Sequence, residues 1–431
     1  MRNVDVKLIR PDAATTRFDK EELTDIDVLG IKFLPENRLL KIAADCTTRK
    51  RGVVMNRTFV LRGIMDLVGA EEGFVLLDPG RPLPQDHRTA SKAIKITLLD
   101  PNDANFLLKR LNMAEPGVEE SNLFKEGSHI YLEKNLSNIL KEFLNAITYR
   151  KLGYWQDPIN EQLLNSIFNI KDIASKMNIK EQKFHLVLAY EYFFLFVMAA
   201  LSLAWHMAST SSPNNLDNLD IQLRYFLYGG EKHYKSRIRM MEFLEEKLGA
   251  GTKNARNGDL YVAPPEWKRF LDVYTRLLLN PLESIHIPQV LRLALFEKVL
   301  YKNAEMYSQS LPIQANDITF KLIGDLARYY ALATGLPGDF AKSVETFVAP
   351  SANQKKTLDK VTALKDNAPR SDHEDINRDR DDVVNQDQSV GTSIAESVKM
   401  EEAEPVPAKE NNSAGTIKGQ KDLEKTEASQ G

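Results

Sequence analysis

The chain predicts an α+β protein that is mainly α. It divides into a β-rich N-terminal lobe over residues 1–115, a large helical domain over 116–348, and a disordered, acidic C-terminal tail over 349–431. Three observations carry this reading. Up to about residue 112, short runs rich in β-branched and aromatic residues are broken by turn residues. From about residue 120 to 348, apolar residues recur at three- and four-residue steps. After Phe347 there is no Phe, Trp or Tyr.

Taken in order, residues 4–10, 28–34, 39–46, 53–61, 73–78 and 93–99 read as strands. The proline-rich stretch Asp78-Pro79-Gly80-Arg81-Pro82-Leu83-Pro84 reads as a loop, because proline removes backbone donors. A short helix is expected over 102–112, with Asp100 or Asn102 able to cap it. In the helical domain, Leu132, Leu136, Ile139, Leu140 and Phe143 mark an amphipathic helix. Others are predicted at 160–168, 170–177, 181–208, 219–228, 234–248, 265–279, 288–307 and 318–333, with Pro265 and Pro288 in first turns. Gly335 and Pro337 end the last of them: glycine provides a left-handed cap and proline forbids continuation. The tail has no periodic apolar face and carries acidic blocks such as Asp372-His373-Glu374-Asp375. It cannot bury enough apolar area to offset the roughly 1–2 kcal/mol per residue of backbone ordering entropy.

Charge is unevenly placed. Residues 351–431 hold twelve Lys/Arg against seventeen Asp/Glu, a net of −5, so the chain's −3 leaves +2 on residues 1–350. A mildly basic body with an acidic tail points weakly to a polyanion-facing body. Cys46 is the single cysteine, which excludes an intrachain disulfide and a Cys-based zinc cluster. It lies in an apolar strand run and is expected to be a small core residue. The N-terminus has no apolar signal-like region, and the uncharged run 192–205, at fourteen residues, is short of the roughly 20 a spanning helix needs. A buried core helix and no membrane association are expected.

Strings with dedicated chemistry are absent. There is no Gly-x-x-x-x-Gly-Lys-Ser/Thr, His-Glu-x-x-His or Gly-x-Ser-x-Gly, and the seven histidines never pair at metal-ligating spacing. Gly249-Ala250-Gly251 follows a helix rather than a strand and reads as a helix cap with its loop. The expectation is a non-enzymatic protein with no cofactor and no metal.

Two basic clusters remain. The first is Thr47-Thr48-Arg49-Lys50-Arg51-Gly52, followed by Arg57 and Arg62, at an expected turn between two strands. The second runs from Arg224 to Arg239 with five Lys/Arg (Arg224, Lys232, Lys235, Arg237, Arg239), one Glu, His233, and the tyrosines Tyr225, Tyr228 and Tyr234. Phosphates are bound by cations and backbone amides, and single-stranded bases stack on aromatic faces. Gly229-Gly230 allows close backbone approach, and Lys253 and Arg256 in the following loop can line the same groove. Each cluster also reads as a solvated surface, a hairpin tip or a helix face.

One cluster per lobe, followed by a long tail, resembles the layout of nucleoproteins or coat proteins of RNA viruses, particularly negative-strand ones. The resemblance implies that two lobes clamp single-stranded RNA and that copies self-assemble along it. Arg49, Lys50, Arg51, Arg224, Lys232, Lys235, Arg237 and Arg239 would then be phosphate contacts. It further implies residence in a virion and the host cytoplasm. The tail's net negative charge makes it a poor RNA binder, so it is expected to recruit a protein partner or to fold back over the basic groove. The alternatives are a cytosolic helical protein-interaction scaffold and a viral movement or accessory protein.

Overall fold

A five-stranded sheet opens the chain, with strands in chain order: β1 (Arg2–Ile9), β2 (Glu22–Phe33), β3 (Leu39–Cys46), β4 (Glu72–Leu76) and β5 (Ile96–Leu99). The computed structural model describes residues 2–9, 22–34, 39–46, 54–77, 83–114, 120–210, 216–248, 264–312 and 314–350. The tail assigned above to disorder therefore lies outside the described residues, apart from its first two. β1, β2 and β3 pair antiparallel, whereas β3, β4 and β5 pair parallel. Parallel neighbours need a crossover, and helices α1 (Val54–Val68) and α2 (Gln85–Ala93) supply the two.

That requirement corrects the expected strand at 53–61. Its run of Val, Phe and Leu satisfies a strand pattern, but Val54, Thr58, Leu61, Met65 and Val68 also recur at helical steps, and these are the residues buried. α1 packs on β3 and β4, and Gly73 of β4 permits its close approach. A Cβ at Gly73 would sit 2.7 Å from Met65 Sδ and 2.9 Å from Ile96 Cγ1. The expected strand at 93–99 is shortened in the same way. α2 runs to Ala93, Lys95 turns the chain at φ 62°, and only Ile96–Leu99 pairs. Cys46, expected in the core, is exposed at the end of β3, where its N–H donates to Asp27 Oδ2 at 2.6 Å.

Helix α3 (Pro101–Ala114) follows β5, and Asp100 caps it by accepting from Asn102 N and Asp103 N at 2.8 and 2.9 Å. The helical part continues with α4 (Glu126–Ile139), α5 (Leu144–Thr148), a π turn at Tyr149–Gly153, α6 (Ile159–Ile173) and α7 (Lys183–Thr210). Then come α8 (Leu216–Leu227), α9 (Glu231–Leu248), α10 (Trp267–Leu279), α11 (Pro281–Ser284) and α12 (Ile287–Leu293). A second π turn at Ala294–Leu300 leads to α13 (Ala304–Ser310), α14 (Asp317–Thr334) and α15 (Asp339–Val348). The single helix expected at 288–307 is thus divided. The chain reverses at Lys302 (φ 55°), and Asn303 restarts the helix by accepting from Met306 N. Gly335 caps α14 at φ 74°, as its sequence predicts, and Asn316 forms a capping box with Thr319 at the other end. α15 is an element the sequence reading did not anticipate.

α7 is the axis of the helical part. It is apolar all round, and from Val187 to Ala204 its residues are buried by α6, α10, α12, α14 and α4. By length and composition α7 could cross a membrane, but the protein itself covers its side chains. Buried tyrosine hydroxyls bond backbone carbonyls of neighbouring elements: Tyr154 to Leu195, Tyr192 to Ala146, Tyr330 to Ser166 and Tyr307 to Val348, at 2.6–2.8 Å.

One charged network crosses this core. Glu191 on α7 accepts from Arg150 in the first π turn at 2.8 Å and from Arg292 on α12. Arg150 also bonds Glu133 on α4 at 2.5 Å. Arg292 lies 5.1 Å from the ring centres of Phe194 and Phe296. Burial works against the Arg150 charge, but Glu133 and Glu191 outweigh it and hold its pKa above the ordinary range.

Candidate nucleic-acid interface

The sequence clusters separate once their partners are visible. Arg49, Lys50 and Arg51 lie outside the described residues, as do Lys253 and Arg256. The segment that carries the first three connects a strand to a helix, β3 to α1, and is not the tip of a hairpin. Arg57 and Arg62 both fall on α1, and both are engaged. Arg57 bonds Asp45 at 3.1 Å, while Arg62 bonds Asp66 and reaches Ile94 O. Arg224 is likewise held inside the fold: it bonds Asp220 at 3.1 Å and stacks over Trp267, whose Nε1 donates to the same aspartate at 2.6 Å. This trio clamps α8 to α10.

Between α8 and α9 the chain turns on Gly229 (φ 77°) and Gly230 (φ 118°). Gly230 N donates to Tyr225 O at 2.6 Å and Gly229 N to Phe226 O at 3.1 Å, the paired bonds of a Schellman cap. A Cβ at either glycine would meet nothing within 4 Å. Positive φ, and not the close approach expected above, is what requires glycine here.

Beyond this turn, α9, like α3, is largely exposed among its described residues. None of its described side chains is buried, and Tyr234 and Ile238 alone are half-buried against α8. Tyr234 lies edge-on to Tyr225 and Tyr228, with ring centres 5.5 and 5.0 Å away. The tyrosines therefore serve first as the joint between α8 and α9. Arg237 covers Tyr228 at 5.7 Å.

Lys232, His233, Lys235, Arg237 and Arg239 are all exposed. Lys232, Lys235, Arg239 and Phe243 recur at three- and four-residue steps and share one side of the helix. Lys235 pairs with Glu231 at 2.5 Å, and that bond holds the ammonium above its ordinary pKa. Among the described residues, neither Lys232 nor Arg239 has a carboxylate within ion-pair distance. Met240 and Phe243 are 63% and 55% exposed, which sets two large apolar groups beside the cations.

The charges of α9 are unevenly ordered, with Glu231 in its first turn and Lys247 in its last complementing the helix dipole. Residues 231–240 hold four Lys/Arg and one Glu, and residues 241–248 hold three Glu and one Lys. The exposure of the described residues of α9 agrees with the solvated helix face that the sequence also allowed. The signal was present in its apolar positions, which fill one narrow side and leave most of the helix polar or charged.

No family model matches the chain, and no match was found among curated proteins or solved structures.

Proposed function

We propose that this chain is a non-enzymatic structural protein that binds single-stranded RNA without sequence preference and self-assembles along it, as a viral nucleocapsid or coat protein does. The observation that carries the reading is α9, an 18-residue helix whose cations Lys232, Lys235, Arg237 and Arg239 are exposed, while Arg57, Arg62 and Arg224 are paired with carboxylates among the described residues. Lys232, Lys235 and Arg239 follow the helix side as successive phosphates follow a strand, and Phe243 offers a face for a base to stack on. A second reading has its own support. Met240 and Phe243, exposed beside one another, also suit a protein partner, as in a helical interaction scaffold.

One experiment separates the two. The full chain is purified and titrated with fluorescent oligo(U) across a salt series, alongside a variant carrying Lys232→Glu, Lys235→Glu, Arg237→Glu and Arg239→Glu. The nucleic-acid reading expects micromolar or tighter binding at low salt, a steep fall as salt rises, and loss of at least tenfold in the variant. Absence of binding at low salt would retire it in favour of the scaffold. Binding that the variant leaves unchanged would remove α9 from it. Rings or filaments on RNA by negative-stain microscopy test self-assembly, and a virion or host-cytoplasm location follows only if both hold.

A further inference from the structure

Helix α1 is apolar on two sides, and the fold covers one of them. Val54, Thr58, Leu61, Ile64, Met65 and Val68 are buried. The opposite side carries Phe59, Val60 and Leu67, which are 59%, 61% and 61% exposed, with Gly63 exposed between them. A helix that is apolar all round is ordinarily buried all round, yet no described element covers this side. α2, packed beside α1, limits the apolar surface, since it shows Gln85, Asp86, Thr89 and Lys92 to solvent. Arg57 is answered by Asp45 and Arg62 by Asp66, so a partner laid on this side strands no charge.

Gly63 points the same way. Its φ is not positive, and a Cβ built on it would meet nothing within 4 Å. Neither a turn nor a contact among the described residues requires glycine there, and in a helix interior glycine is less stable than alanine. The close approach of another backbone would require it.

We propose that α1 pairs antiparallel with α1 of a second copy, about a two-fold axis beside Gly63. The order of the side chains selects that occupant. Helical residues advance about 100° and 1.5 Å, so Phe59 and Leu67 lie about 6 Å before and after Gly63 and about 40° to either side of it. The two-fold axis reverses one helix and preserves its flanks, which brings Leu67 of each copy onto Phe59 and Val60 of the other. Asp66, 63% exposed at its side chain, lies on the Phe59 flank near the height of the second copy's Arg62. The two Arg62–Asp66 pairs then join into four alternating charges. This side of α1 is therefore complementary to itself in shape and in charge, as an isologous contact must be. Its three large apolar side chains offer roughly 300 Å² per copy, below the roughly 800 Å² of a standard interface, so the dimer is reversible. A closed two-fold contact ends at two copies, so the pairing is distinct from assembly along RNA and does not rest on that reading.

The test uses the full-length chain, freed of nucleic acid and held at high salt, where phosphate contacts are screened. Sedimentation velocity over a series from low micromolar to submillimolar protein is expected to show a monomer–dimer equilibrium. Phe59→Ser with Leu67→Ser is expected to raise its dissociation constant at least tenfold. Gly63→Leu is expected to do the same while its urea midpoint stays level or rises, because leucine favours the helix. In a Cys46→Ser background, Phe59→Cys chains mixed with Leu67→Cys chains are expected to form mixed disulfides on mild oxidation. Like-with-like disulfides are expected to be rarer, since those positions lie about 12 Å apart along the pair.

A monomer throughout the series would overturn the pairing, as would a dimer that both α1 variants leave unchanged. Mixed disulfides no more abundant than like-with-like ones would overturn the two-fold register. An α1 dimer in a protein that binds no oligo(U) at low salt would uphold the pairing and defeat the RNA reading alone.

Discussion

Replacing Glu191 by alanine is the perturbation with the largest expected cost for its size. The Glu191 carboxylate serves two guanidiniums from opposite sides, and Glu191, Arg150 and Arg292 are 4%, 7% and 6% exposed at their side chains. Without it Arg150 keeps Glu133, but Arg292 has no second carboxylate within ion-pair distance among the described residues. Its Nε is already unpartnered, so no spare bond offsets the loss. Deleting one member of a buried pair costs about 3–5 kcal/mol, most of it the desolvation of the charge left behind. An expected cost of about 4 kcal/mol is a large share of any domain's stability. Urea unfolding followed by circular dichroism measures it as a lower midpoint at unchanged slope. The double variant Glu191→Met with Arg292→Met removes the stranded charge as well and is expected to recover about half of the loss or more. A single variant costing under about 1 kcal/mol, or a double variant no more stable than the single, would refute the argument.

Three further outcomes follow from the same physics. Glu297 accepts from Ser121 Oγ at 2.7 Å and Asn122 Nδ2 at 2.9 Å while fully buried, so Glu297→Ala is expected to cost about 2–4 kcal/mol by urea unfolding. Gly229→Ala forces a Cβ into φ 77° and is expected to cost about 1–2 kcal/mol, with α8 and α9 exchanging amide hydrogens faster than in the parent. Burial works to raise the Glu133 carboxyl, but the Arg150 guanidinium outweighs it and holds the folded pKa below the ordinary value. A depressed carboxyl contributes stability above its unfolded pKa of about 4.3 and loses it as pH falls through the folded value, so unfolding midpoints are expected to drop below about pH 4. Glu133→Gln is expected to flatten that drop.

Element type was legible where a pattern had one solution. Gly335 and Pro337 announced the end of α14, and the uncharged run 192–205 announced a buried helix, because each violates every alternative locally. The run at 53–61 had two solutions. Its residues satisfy both periods, and the choice was made by the parallel pairing of β3 with β4, a tertiary fact carried by residues far apart in sequence. The candidate site was less legible for a similar reason. Arg57, Arg62 and Arg224 look like free cations in the sequence, but Asp45, Asp66 and Asp220 answer them, and two of these three partners lie only four residues away on a helix face. A cluster counted by composition has to be corrected for such pairs before it is read as a binding surface.

α7 and α9 mark the two limits of that correction. α7 has no solvated side, so each of its polar groups must find a partner inside the protein, and Glu191 finds two. α9 has no buried side chain among its described residues, and its described charges are left to solvent. Helices in proteins draw most of their stability from an apolar face. A helix whose apolar face is narrow has a low local free energy of opening unless a ligand covers it. Among the described residues, Lys232 and Arg239 of α9 are exposed cations with no carboxylate within ion-pair distance. An anion on that side, such as the phosphates of a nucleic acid, would pair with them.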